Sequence, residues 1–108
     1  MWIFLNNAFV SIVRHREQPD ILLVRARREG DIERAIPGAV SEETQYADYR
    51  YRAPVSAEVV AQAISRQVRD IDYDNFKNSI EDPGYHAACS SVWGDMLRLQ
   101  KGVGRYAK

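Results

Sequence analysis

The stretch FVSIVRHREQPDILLVRAR, residues 9–27, decides the fold. Two runs of β-branched and aliphatic residues, FVSIVRH (9–15) and DILLVRAR (20–27), flank the polar REQP (16–19). Runs of this length around a polar segment containing Pro19 read as the two strands of a hairpin. Alternate residues of a strand share a face. Leu22, Val24 and Ala26 are therefore expected to point to a core, and Leu23, Arg25 and Arg27 away from it.

On the N-terminal side, WIFL (2–5) reads as a short extra strand with Asn6-Asn7 as its turn. On the C-terminal side, Asp31 is a candidate N-cap for a short helix. Ile32, Ala35 and Ile36 share a face of that helix, and Pro37-Gly38 ends it. AVSEETQY (39–46) is a loop or loose edge before another strand, ADYRYRAPV (47–55). There Tyr49 and Tyr51 are expected on one face, with Arg50 and Arg52 on the other.

Beyond residue 55 the period changes from two to about 3.6. Ser56 caps AEVVAQAISRQVRDI (57–71), whose Val60, Ala63, Ile64, Val68 and Ile71 form one apolar stripe. Asp82 and Pro83 open a last helix as cap and first residue. Its face carries Tyr85, Ala88, Cys89, Val92, Met96 and Leu99. KGVGRYAK (101–108) reads as a flexible tail. Strands first and helices after predict a single α+β domain over 1–108. The expected architecture is an antiparallel sheet of about three to four strands with two main helices on one face, a ferredoxin-like variant being one topology that fits.

The 108 residues suffice for one hydrophobic core. At this size the core buries roughly 65% of the surface of the unfolded chain. Fifteen basic and fifteen acidic residues cancel, which argues against a general polyanion binder. Cys89 is the single cysteine, so an intramolecular disulfide is excluded and a reducing compartment is the natural setting. MWIFL lacks the basic start and the longer apolar core of a secretory signal, and no run approaches the ~20 apolar residues of a membrane span. The expectation is a cytoplasmic protein without membrane association.

DIDYDNFKNSIE (70–81) places Asp70, Asp72, Asp74 and Glu81 on the spacing of a helix–loop–helix calcium site. Three details oppose that reading. Asn75 stands where glycine makes the sharp turn, Lys77 brings a cation to the loop, and Asp82-Pro83 starts a new helix directly after Glu81. An acidic turn with Tyr73 and Phe76 tucked against the sheet accounts for the stretch better. His86 and Cys89, one helical turn apart, are the pairing that would suit a thiol nucleophile or half a zinc site, but zinc needs a third ligand. Cys89 also lies on the apolar stripe, where small buried cysteines are common. No glycine-rich phosphate loop is present.

ADYRYR (47–52), IDYDNFKNS (71–79), VW (92–93) and LQ (99–100) resemble a family of short uncharacterised bacterial proteins, and the resemblance covers nearly the whole chain. It implies the same fold and no known activity. The positions of Asp70 and Asp74 are not held as acids in that pattern, a further argument against calcium.

The function expected from these residues is a non-enzymatic protein-interaction module, a small inhibitor or accessory factor of bacteria or their phages. It would need no cofactor, and its partner would be another protein. The alternative is a nucleic-acid-binding domain that uses Arg25, Arg27, Arg50 and Arg52 as an Arg-lined sheet face. Against both stands a plainer account, in which interleaved acids simply keep an exposed face soluble.

Overall fold

A computed structural model of the protein describes residues 1–102. They belong to two units, Met1–Asp72 and a second that begins at Tyr73. Among the described residues the first unit holds five strands: β1 (Trp2–Phe4), β2 (Phe9–Arg14), β3 (Ile21–Ala26), β4 (Glu42–Glu43) and β5 (Tyr51–Ser56). They form one antiparallel sheet in the order β1-β2-β3-β5-β4. The α+β class with an antiparallel sheet is therefore observed. The strand count is five, above the expected three to four, because the loose edge at Glu42–Glu43 pairs with β5. Two glutamates carry no apolar alternation by which a strand could be read.

The β2–β3 hairpin is closed by its own loop. The His15 amide donates to Ile21 O at 3.1 Å, and His15 Nδ1 accepts from the amides of Glu17 and Gln18 at 3.2 and 3.3 Å. These bonds pair loop donors that lie outside the ladder. In the register Val24 faces Ile12 on β2 and Ala53 on β5, so the inward residues of three neighbouring strands meet in one row.

β5 begins at Tyr51, inside the stretch 47–55 rather than at its start. The Thr44 amide donates to Arg50 O at 2.6 Å, which turns the even-numbered backbone groups of this strand toward β4. Pro54 consequently faces the edge that β4 leaves open. A residue without N–H costs no ladder bond there and blunts the edge against further pairing.

Two helices cover the inward face within this unit: α1 (Asp31–Ala35) and α2 (Ala57–Arg69). Val10, Ile12, Val24, Ala26, Ile32, Ala35, Ile36, Ala53 and Val60 form the core between them and the sheet. Ser56 caps α2 as read, its hydroxyl accepting from the Val59 amide at 3.2 Å. The α2 stripe holds for its first half only: Val60 is buried and Ala63 and Ile64 pack on the core, whereas Val68 is 61% and Ile71 51% exposed. At that end Gln67 contacts α1 instead. Its Nε2 donates to the carbonyls of Arg34 and Ala35, both at 3.1 Å. Two C-terminal carbonyls of a helix too short to bond them itself are thereby satisfied.

The second unit contains a 3-10 turn (Lys77–Ser79) and α3 (Pro83–Lys101). Asp82 and Pro83 act as predicted, with Asp82 Oδ1 accepting from the Gly84 amide at 3.1 Å. Gly102 ends α3 in the left-handed region, the backbone conformation that glycine adopts without steric cost. Lys101 is thus helical, and the expected tail lies otherwise outside the described residues. Tyr73 and Phe76 pack on each other with ring centroids 5.9 Å apart. Both are half-buried, so Ile80 and not Phe76 is the buried side chain of this segment. Among the described residues no helix is long and apolar enough to cross a membrane.

Candidate functional site

The strand register brings one residue from each strand into a row across the outward face: Trp2, Ser11, Arg25, Arg52 and Glu42. Helices α1 and α2 pack on the opposite face. Parity places Phe4 and Phe9 beside this row. Phe4 stacks on Phe9 at 4.6 Å between centroids, and Trp2 meets Phe9 edge-on at 6.0 Å. Trp2 nevertheless stays 67% exposed. Sequence reading misses this aromatic cluster. Its signal is the alternation within WIFL and FVSIV, which puts Trp2, Phe4 and Phe9 on the side of Arg25 once β1 is paired.

Tyr49 also departs from expectation. It lies ahead of β5, so strand parity does not govern it, and it joins the arginines rather than the core. Arg25 Cζ lies 4.5 Å and Arg27 Cζ 4.4 Å from its ring centroid. Tyr49 is 5% exposed. A tyrosine face attracts guanidinium groups through its quadrupole, and the more so where water is excluded.

The four predicted arginines separate into two kinds. Arg27 pairs with Asp48 at 3.2 Å, and Arg50 Nε with Glu43 at 3.0 Å. Both pairs are exposed and are worth about 0–1 kcal/mol each, but their charge is balanced. Arg25 donates from Nη2 to the Ser11 hydroxyl at 2.8 Å, and its buried Nε has no partner. Arg52 donates from Nε to Tyr49 O at 3.4 Å. Among the described residues, neither Arg25 nor Arg52 pairs with a carboxylate. Of the four expected arginines, Arg25 and Arg52 are adjacent across the strands, while Arg27 and Arg50 are each bound to an acid.

Asp31 is not the N-cap that the sequence predicts. Gly30 holds that position at φ 88°, and Asp31 is the first helical residue, 1% exposed. Its Oδ2 accepts from the Phe9 amide at 3.1 Å and from Arg28 Nε at 3.2 Å. Its Oδ1 accepts from Arg28 Nη2 at 3.1 Å and Arg34 Nη2 at 2.6 Å. Arg34 continues to Asn7 O and Glu29 O. A buried carboxylate with four donors joins the start of β2 to the start of α1. This is a structural hub, and the spacing Arg28-x-x-Asp31-x-x-Arg34 is the signal for it.

Glu33, two residues on, accepts from the Ser41 amide and hydroxyl at 3.1 and 2.8 Å. Burial pushes its carboxyl up, but the two Ser41 donors, a backbone bond of its own and Arg34 outweigh burial and hold it below its ordinary value. A depressed carboxylate contributes stability that is complete above the ordinary range and is lost as pH falls through the depressed value. Ser41→Ala is expected to cost about 1 kcal/mol at neutral pH. The melting-temperature gap to the parent protein should narrow as the pH is lowered below the ordinary carboxylate range. A gap constant over the whole titration would show that Glu33 is not the group responsible.

The acids of DIDYDNFKNSIE do not assemble. Asp70, Asp72, Asp74 and Glu81 are all exposed, and Asp70 is the C-cap of α2. Among the described residues no three His, Cys, Asp or Glu side chains gather as a metal site would require. Cys89 is buried on α3, and His86 is half-buried one turn before it. An apolar hollow of about 460 Å³ lies beside α2, lined by Ile3, Ile12, Leu22, Val60 and Ile64 among others, with Arg14 as its one charged side chain. Comparison with protein-family models, with curated proteins and with solved structures finds no match.

Proposed function

We propose that this chain is a protein-interaction module that docks through the outward face of its sheet and performs no chemistry of its own. The observation that carries this reading is Trp2. It is largely exposed, braced edge-on by Phe9, and lies on one row with Arg25 and Arg52. An exposed tryptophan on the same sheet face as arginines is the composition from which binding hot spots are built. An aromatic cluster fixed by its own stacking loses little side-chain entropy when a partner covers it. The nucleic-acid reading is less well supported. Two of its four arginines already hold acids, and Glu42 stands opposite Arg52, which leaves little positive charge for a phosphate backbone.

The test compares the parent protein with Trp2→Ala as bait in a lysate of the source organism. A stoichiometric protein partner held by the parent is expected to be lost with Trp2→Ala at unchanged melting temperature. Loss of a central aromatic anchor costs about 2 kcal/mol or more of binding, roughly thirtyfold in affinity. A partner retained equally by both baits would reject this face. Binding of single-stranded RNA that collapses with added salt would favour the nucleic-acid reading instead.

A further inference from the structure

We infer that Arg25 and Arg52 form a receptor for a carboxylate side chain on the docking protein, an assignment that rests on the docking role proposed above. The two residues are direct cross-strand partners on β3 and β5. Like charges directly opposite on neighbouring strands repel, and a counter-charge received between them relieves that repulsion. Glu42 stands opposite Arg52 on β4 and yet forms no ion pair with it. The neighbouring arginines show what the local acids do when they engage: Asp48 binds Arg27, and Glu43 binds Arg50.

The donors left over define the ligand. Arg25 uses Nη2 on Ser11, and Arg52 uses Nε on the Tyr49 carbonyl. Nη1 of Arg25 and both terminal nitrogens of Arg52 carry no hydrogen bond among the described residues. Guanidinium forks match a carboxylate in bidentate fashion. The fork of this pair is that of Arg52, with Arg25 adding Nη1, and Arg25 is held in advance. Arg25 lies 4.5 Å from the centroid of a ring that is itself buried, and its far end is tied to Ser11, which is 1% exposed. Ordering cost on binding is correspondingly small. Arg27 and Arg50 are already balanced by Asp48 and Glu43, and Glu42 stands opposite Arg52, so this face offers positive charge for one anionic group, an acidic side chain rather than a nucleic-acid backbone.

The experiment follows the side-chain Nε resonances of the isotope-labelled full chain by NMR. The probes, at matched ionic strength, are a blocked Gly-Glu repeat hexapeptide, inorganic phosphate and an oligouridylate. The expected result is a saturable shift at Arg25 and Arg52 with the peptide, little change at Arg27 and Arg50, and binding weakened about tenfold or more by Arg52→Gln. The melting temperature of Arg52→Gln should equal or exceed that of the parent, because the opposed charge is relieved. A fall of several degrees would assign the pair to structure and overturn the inference. So would equal shifts at all four arginines, or tighter binding of phosphate or oligouridylate than of the peptide. If Arg52→Gln misfolds, Arg52→Lys, which keeps the charge and removes the fork, must weaken the peptide. A lack of peptide response alongside a partner lost with Trp2→Ala removes the carboxylate assignment and leaves the docking reading intact. Peptide binding with no partner captured leaves a carboxylate site at Arg25 and Arg52 but removes its assignment to a docking protein.

Discussion

Replacing Asp31 by alanine is expected to cost about 3 kcal/mol, which lowers the melting temperature of a domain this size by roughly 15 °C. The carboxylate is 2% exposed and accepts four hydrogen bonds, three of them from guanidinium groups. Its removal takes the acceptor from the Phe9 amide and a buried carboxylate from Arg28 and Arg34. Arg28 and Arg34 are themselves partly exposed and can turn toward water. The loss therefore falls short of the largest values for broken buried pairs. Asp31→Asn retains an acceptor but sets an amide against a guanidinium, and should lose about 2 kcal/mol. Arg28→Ala should lose less than either, since Arg34 remains on Oδ1. Urea denaturation of the three variants checks the ranking. A cost below about 1 kcal/mol for Asp31→Ala would mean that the hub is dispensable.

Ile32→Ala is expected to cost about 3 to 4 kcal/mol, from lost transfer energy plus the cavity left behind. Ile32 is fully buried on α1, and that helix packs against β2, β3 and β5. Its neighbours are secured from several sides, so the site has little room to collapse. Ile32→Val should lose about 1 kcal/mol. The informative control is Ile71→Ala, at a position that belongs to an apolar stripe in sequence but is half-exposed. It should change stability by no more than about 0.5 kcal/mol. Denaturant midpoints of the three variants separate these outcomes. If Ile71→Ala proved as costly as Ile32→Ala, the core would have to reach past the end of α2.

What the sequence determined by itself was everything governed by neighbours in the chain. Strand parity in 20–27 sorted Val24 from Arg25 correctly, because the two-residue period is a property of extended backbone. The caps at Ser56 and Asp82 were legible for a related reason: each bond joins a side chain to an amide two or three residues on. The α+β class followed from where the period changed. Tertiary structure alone decided what crosses the chain. Tyr49 sits ahead of its strand and was claimed by Arg25 and Arg27 from the β3 side, so no local pattern could place it. Asp31 looked like a cap because capping is local, and became a hub because Phe9, 22 residues away, brings its amide to the same carboxylate. Val68 and Ile71 continue the α2 stripe in sequence, but burial requires an opposing surface, and a period cannot say where that surface ends. The division of the four arginines between acid-paired and adjacent ones has the same origin. Which guanidinium meets Asp48 or Glu43, and which meets none, depends on strand register across the sheet, a long-range quantity that side-chain spacing does not contain.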